Sequence, residues 1–347
     1  MSDLNRKREA FGILERLWQA RADDYAVCAA WHPDGETLFV GDAGGVLSAY
    51  DVSQGQRRWS TRAHPGGILA MAVHPAQSVL ATAGQDGVAR LWNTDIVRAI
   101  HELVGDAAWV EHLAWAPGGQ HLASASGRYL RIWDLGGRLL ARSAAHASAV
   151  SAVLWSNERE LVTACYGRVS FWDAASGRLQ DKLDWKGSLV SMVMSPDGAI
   201  IACGSQDKTV HFWRRETKQD SMMSGYPNKP KALAFDSTST FLATSGSEAV
   251  TVWNFQGSGP EGSVPNVLAV HVLPVTTLQF ARRQARLASG AKDGGVLIWD
   301  LNHDGGGDPV GGGIVTGPVE SVTWRHDDRV LAAIDADGGV SVWRCGQ

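Results

Sequence analysis

Four cysteines in 347 residues leave little room for a covalent framework. Cys28, Cys165, Cys203 and Cys345 lie far apart and form no C-x-x-C pair, which argues against a disulfide scaffold and against a thiolate zinc cage. An excess of one charge is also missing. The net charge of −4 supplies no global positive field to draw the chain to nucleic acid or to an acidic membrane. No run of about 18 apolar residues occurs, so no spanning helix is expected. The opening stretch MSDLNRKREAFGILERLWQA breaks its apolar residues with charges and lacks the roughly 7–15-residue apolar core of a secretion signal. These absences predict a soluble, cytoplasmic chain with a polar tail over residues 1–10, in which Arg6-Lys7-Arg8 is solvated.

What the chain has is a period. Eight β-rich runs end on an aromatic residue followed by a polar one: Tyr50-Asp51, Trp92-Asn93, Trp133-Asp134, Trp172-Asp173, Trp213-Arg214, Trp253-Asn254, Trp299-Asp300 and Trp343-Arg344. Their spacing stays close to 40 residues throughout, the signature of one supersecondary unit repeated and stacked. Seven of the 15 tryptophans are consumed by these endings, against 5 tyrosines in the whole chain. Length alone suggests about two domains. The unbroken period points instead to a single domain over residues 11–347, because stacked repeats share one core.

Within a repeat, short apolar runs alternate with tight turns. The second repeat reads ILAMAV (Ile68 to Val73), a His-Pro-Ala turn, VLATAG (Val79 to Gly84), an Asp86-Gly87 turn and VARLWN (Val88 to Asn93). This is a meander of antiparallel strands. Third strands such as VLIW (Val296 to Trp299) carry large side chains on both faces and need cover on both. Stacking sheets around a ring supplies that cover. The expected fold is an all-β, eight-bladed propeller of four-stranded antiparallel blades, with seven blades as the alternative. More polar outer strands follow several repeats, at Arg57 to Thr61, Val97 to Leu103 and Arg178 to Leu183. The last repeat has no residues left for one, so Ile13 to Trp18 is expected to supply it and close the ring.

The phrases LWN, IWD and FWD at third strands, HPDG (His32 to Gly35) and SPDG (Ser195 to Gly198) at first hairpins, and LASG and LATA at second strands resemble those of the WD-repeat β-propeller family over residues 11–344. The resemblance implies a rigid scaffold for protein complexes, without catalysis. It also implies a buried tetrad in some blades: His before the first strand, Ser or Thr in the second, Asp in the next turn and Trp in the third. Two sets align completely, His64, Thr82, Asp86 and Trp92, and His271, Ser289, Asp293 and Trp299. The third repeat has Asp106 at the His position and Gly127 at the turn. The fourth keeps His146, Thr163 and Trp172 but has Tyr166 at the turn, and the fifth keeps Asp207 and Trp213 without the His. Incomplete sets predict softer blades, since a half-broken buried network is costly.

Other chemistry is weakly supported. Repetition and expected burial turn the His, Ser/Thr and Asp sets away from a nucleophilic triad, and no G-x-S-x-G elbow accompanies them. Asp300, Asn302, Asp304 and Gly305 begin like a calcium loop, but Gly311 stands where a closing Glu would be, so Asp300 to Gly313 reads as a flexible Gly-rich connection. His101, His112, His121 and His211 show no ligand spacing, and neither a metal nor a cofactor is expected.

By the same resemblance, one face is built from loops entering first strands and joining second to third strands. Counting along the repeats places Tyr25, Gln85, Trp109, Glu111, Gln206, Lys229, Lys231, Lys292 and Glu320 there. The expected function is a non-catalytic scaffold that binds another protein or peptide on this face, with an acidic segment meeting the lysines and Trp109 or Tyr25 as apolar anchor. No nucleic-acid partner is expected. The alternative is a propeller enzyme, or a small-ligand or metal-binding protein, with its site at the central channel; first strands such as AMAV, AVLW and SMVM offer such a site little chemistry.

Overall fold

The structure is a computed structural model and describes residues 12–105, 109–257 and 259–346. The tail over residues 1–10, with Arg6-Lys7-Arg8, and Asp106 lie outside the described residues. The chain is an all-β propeller of four-stranded antiparallel blades. In the first repeat the strands are Ala26–Trp31, Thr37–Asp42, Val46–Asp51 and Arg57–Arg62; in the second they are Ile68–Val73, Val79–Gly84, Val88–Asn93 and Arg98–Val104. Backbone packing separates two compact units, residues 22–190 and residues 12–21 with 191–346.

All eight repeats form strands, and hydrogen bonding gathers them into seven sheets, the alternative count. The reason lies in repeats four and five, which run on as one six-stranded sheet. Glu160–Asp173 pairs Ala152–Asn157 with its first half and Leu179–Met194 with its second. Leu179–Met194 in turn continues without a break from an outer strand into the first strand of the next repeat.

Second strands are buried along their whole length, as at Thr37–Asp42, Val79–Gly84, Ile200–Ser205 and Val330–Asp335. Outer strands such as Arg57–Arg62 alternate exposed and half-buried residues, the pattern of a rim. All four cysteines are free thiols. Burial pushes Cys28 and Cys345 each up to about 12, so both behave as small apolar residues.

The last repeat takes its outer strand from the start of the chain, as expected. Glu15–Arg21 lies antiparallel to Gly339–Arg344, with Glu15 opposite Arg344 and Trp18, which is buried, opposite Val342. Ile13 differs from expectation. Gly12–Ile13 pairs in parallel with Gly311 and Gly312, on the edge of the preceding sheet.

The Gly-rich segment is likewise not a flexible connection: Gly307–Ile314 is a strand. Its glycines are there because neighbours come too close for a side chain. A Cβ at Gly313 would sit 2.7 Å from the Trp343 ring, and one at Gly311 would sit 2.5 Å from Leu14 Cδ2. Asp300, the first carboxylate of the apparent calcium loop, is bonded to Arg286 at 2.6 Å, and among the described residues no cluster of acids, histidines or cysteines could hold a metal.

Replacing Gly313 by Ala should therefore lower stability by about 1–3 kcal/mol through overpacking against the Trp343 ring, seen as an earlier urea midpoint. Gly311→Ala meets only the flexible tip of Leu14 and should cost less. Equal midpoints for the two variants would contradict this account.

Candidate functional site

Burying a tryptophan leaves its indole N–H in need of an acceptor. In the second repeat Trp92 Nε1 donates to Thr82 Oγ1 at 2.9 Å, and Thr82 Oγ1 lies 2.9 Å from His64 Nε2. His64 Nδ1 is 2.9 Å from Asp86 Oδ1. Each group is satisfied if the Thr82 hydroxyl donates to Nε2 and Nδ1–H donates to the carboxylate. Desolvation holds His64 below the ordinary imidazole value, against the pull of Asp86. Arg90 donates to Asp86 Oδ2 at 2.6 Å. Desolvation alone would raise Asp86; the bonds from Arg90 and His64 keep its carboxyl low. Nothing in the tetrad pattern pointed to Arg90.

The seventh repeat repeats the arrangement, with Trp299 Nε1 donating to Ser289 Oγ at 2.9 Å and His271 Nε2 2.8 Å from the same oxygen. Here Asp293 lies 3.5 Å from His271 Nδ1 and accepts the backbone N–H groups of Val272 and Gly295, each at 2.8 Å. Desolvation works against that carboxylate, yet its hydrogen bonds hold it far below the usual range. His64, Thr82 and Ser289 are fully buried and His271 nearly so, positions from which a nucleophile could not meet a substrate.

Other repeats complete the set by routes the residue types did not reveal. His146 Nε2 lies 2.9 Å from Thr163 Oγ1, to which Trp172 donates at 2.8 Å, while His146 Nδ1 finds the Arg128 carbonyl at 2.9 Å. A backbone oxygen thus replaces the absent Asp, and Tyr166 at the turn is exposed. In the sixth repeat Tyr226 stands in for His: Trp253 Nε1 donates to its hydroxyl at 2.8 Å, which lies 2.8 Å from Thr244 Oγ1. Its position 27 residues before Trp253, close to the 28 between His64 and Trp92, was the available signal. Among the described residues of the third repeat, Trp133 donates to Ser124 Oγ at 2.8 Å. In the fifth, Asp207 accepts the Thr209 hydroxyl at 2.7 Å.

The nine residues assigned to the loop face are all exposed. In the unit of residues 22–190, Tyr25 is 59% and Trp109 52% exposed, large values for aromatic side chains, and Glu111 is exposed two residues after Trp109. Gln85 also braces its own loop, since its side-chain oxygen accepts the Gly67 N–H at 3.2 Å. In the other unit, Gln206, Lys229, Lys231, Lys292 and Glu320 are exposed. Lys231, Lys292 and Glu320 share one electrostatic neighbourhood. Desolvation raises the Glu320 carboxyl, opposed by both lysines. The basic cluster expected from sequence therefore carries an acid within it.

Residues 55–93, 98–134, 179–214 and 262–300 match the model of the WD domain, G-beta repeat. The chain is 24% identical over 308 residues to Autophagy-related protein 16 of Arabidopsis thaliana, covering 81% of this chain and 56% of that protein. It is 27% identical over 149 residues to Cell division cycle 20.1, cofactor of APC complex, also from Arabidopsis thaliana, covering 39% of this chain and 33% of that protein. The chain thus spans between one third and about half of these relatives. Among solved structures, the computationally designed Ika8 protein matches with a TM-score of 0.81 at 20% identity, over 95% of this chain and 100% of that one, a likeness of fold.

Two measurements test the networks. Thr82→Ala strands both Trp92 Nε1 and His64 Nε2 and should cost about 2–4 kcal/mol in urea unfolding, whereas Ser124→Ala strands one N–H and should cost about half as much. A larger loss for Ser124→Ala would refute the network reading. Burial also holds His146 low. As pH falls below about 6.5, the unfolded chain takes up protons before buried His64 and His146 do, so the midpoint should be full at pH 7 and decline toward pH 5. A midpoint flat over that interval would contradict neutral, buried imidazoles.

Proposed function

As the chain belongs to the WD-repeat β-propeller family, we propose that it is a non-catalytic scaffold that docks a partner protein on the loops entering first strands and joining second to third strands. The observation that carries this reading is the exposure of Tyr25 and Trp109. Aromatic side chains left in water at loop positions beside charges are the usual anchors of protein interfaces. The fold meanwhile buries the hydroxyls and imidazoles that could do chemistry in the tetrads. An acidic partner segment suits Lys229, Lys231 and Lys292, and Glu320 among them would select against a purely acidic run. One relative's printed name, a cofactor of a complex, describes a protein that works through others.

Trp109→Ala should leave the unfolding midpoint unchanged and weaken partner capture about tenfold or more, as loss of an interface anchor does. The combined Lys229→Glu and Lys231→Glu change should remove partners that bind through acid. Recovery of the same partners in the same amounts from all variants in quantitative affinity purification would sink the proposal.

A further inference from the structure

Two departures from the repeat converge in one cavity at the opposite strand ends of the 22–190 unit. His32 and His74 hold equivalent places, their backbone N–H groups closing the first hairpins onto Thr37 and Val79 at 2.9 Å each. His74 Nε2 reaches the Gly119 carbonyl of the next hairpin at 3.0 Å. His32 Nε2 is buried and meets no partner. The second departure is Thr94, whose N–H bonds the Ser78 carbonyl as Val52, Ala174, Arg215, Phe255, Leu301 and Cys345 bond theirs. Five of those six are apolar and buried, and Arg215 is half-buried; Thr94 is 8% exposed, and its hydroxyl has no partner either. Both residues line the same cavity, about 330 Å³ in volume.

The remaining wall tells what would fit. Phe39 and Trp59, with ring centroids 5.8 Å apart, form an aromatic side. Arg58 lines the cavity but is already committed, through Nε and Nη2 to Asp51 Oδ2 at 3.1 and 2.5 Å and through Nη1 to Thr37 Oγ1 at 2.9 Å. Asp34 and Asp95 also line it. Asp34 Oδ2 is 2.9 Å from His32 Nδ1, closer than the Asp34 N–H at 3.3 Å, so in the neutral ring Nδ1 carries the proton and Nε2 offers a lone pair. The cavity therefore presents acceptors: Nε2, the Thr94 hydroxyl and the Asp95 carboxylate, with the Asp34 charge held beside them by the Glu36 N–H and His32, next to an aromatic face. An anion would meet repulsion from Asp34 and Asp95.

We propose that this cavity is a binding site for a guanidinium group, planar, multiply donating and able to stack on Trp59. Free arginine derivatives and an arginine side chain on a peptide share this chemistry. The site lies away from the partner-docking loops and does not depend on their role.

Calorimetric titration of the full chain with Nα-acetylarginine amide and with a Gly-Arg-Gly peptide tests the assignment. Saturable binding is expected, weakened at least about tenfold by Thr94→Val, by Asp95→Asn and by exchanging arginine for uncharged citrulline. Thr94→Val restores the apolar character of five other repeats and Asp95 is exposed, so both variants should fold, with unchanged circular dichroism. Tighter binding of the peptide would assign the group to a protein segment, and equal affinities to a free small molecule. Absence of saturation up to roughly 10 mM, equal binding of the citrulline probe, or unaltered affinity in both variants would overturn the site.

Discussion

Every other feature of this chain depends on sheets that are apolar on both faces and must be covered on both. The core accordingly lies between successive sheets. Trp92 of the second repeat packs against Phe39, Leu47 and Ala49 of the first, and Trp133 of the third against Ala81 and Leu91 of the second. In the other unit, Trp253 packs with Ala202 and Phe212, Trp299 with Ala243 and Val252, and Trp343 with Ala288 and Ile298. One large ring reaching back over a small residue of the preceding sheet is a size match that keeps side chains interdigitated at native density. This explains why tryptophan recurs once per repeat and alanine stands in the second strands.

The polar networks follow from that packing. A tryptophan driven into an apolar layer brings its N–H with it, and a buried hydroxyl answers at Thr82, Ser124, Thr163, Ser289 or Tyr226. The hydroxyl then has one hydrogen to place, on His64 and His146 in the two sets with a Thr and an imidazole. The outermost acid or carbonyl completes the chain. The same groups that resemble a hydrolytic triad are thus spent on stability. The exposed aromatics at strand entries and the unpartnered pair His32 Nε2 and Thr94 Oγ1 stand outside these networks.

Much of this was legible in residue types. The Trp-Asp endings and the antiparallel meander follow from pattern, as does an outer strand borrowed from the start of the chain, expected at Ile13 to Trp18 and found at Glu15–Arg21. The six-stranded sheet did not, because Leu179–Met194 reads as two ordinary strands and only hydrogen bonding joins them. Tyr226 and the Arg128 carbonyl escaped for another reason: an acceptor is defined by where an oxygen sits, and residue identity does not say which backbone oxygen will be near. The glycines from 311 to 313 read as flexible because their reason for being glycine, Trp343 and Leu14, lies outside the segment.

By itself the sequence determined the repeat, the strand order within it and which residues must be buried, since these depend on periodicity and transfer from water, both local to the chain. Tertiary structure alone decided which polar atoms meet and which remain alone. His32 and His74 stand in the same place in successive repeats, yet one imidazole finds a carbonyl and the other does not. Hydrogen bonds act over about 3 Å, and such distances are set by how neighbouring sheets stack, which no single repeat encodes.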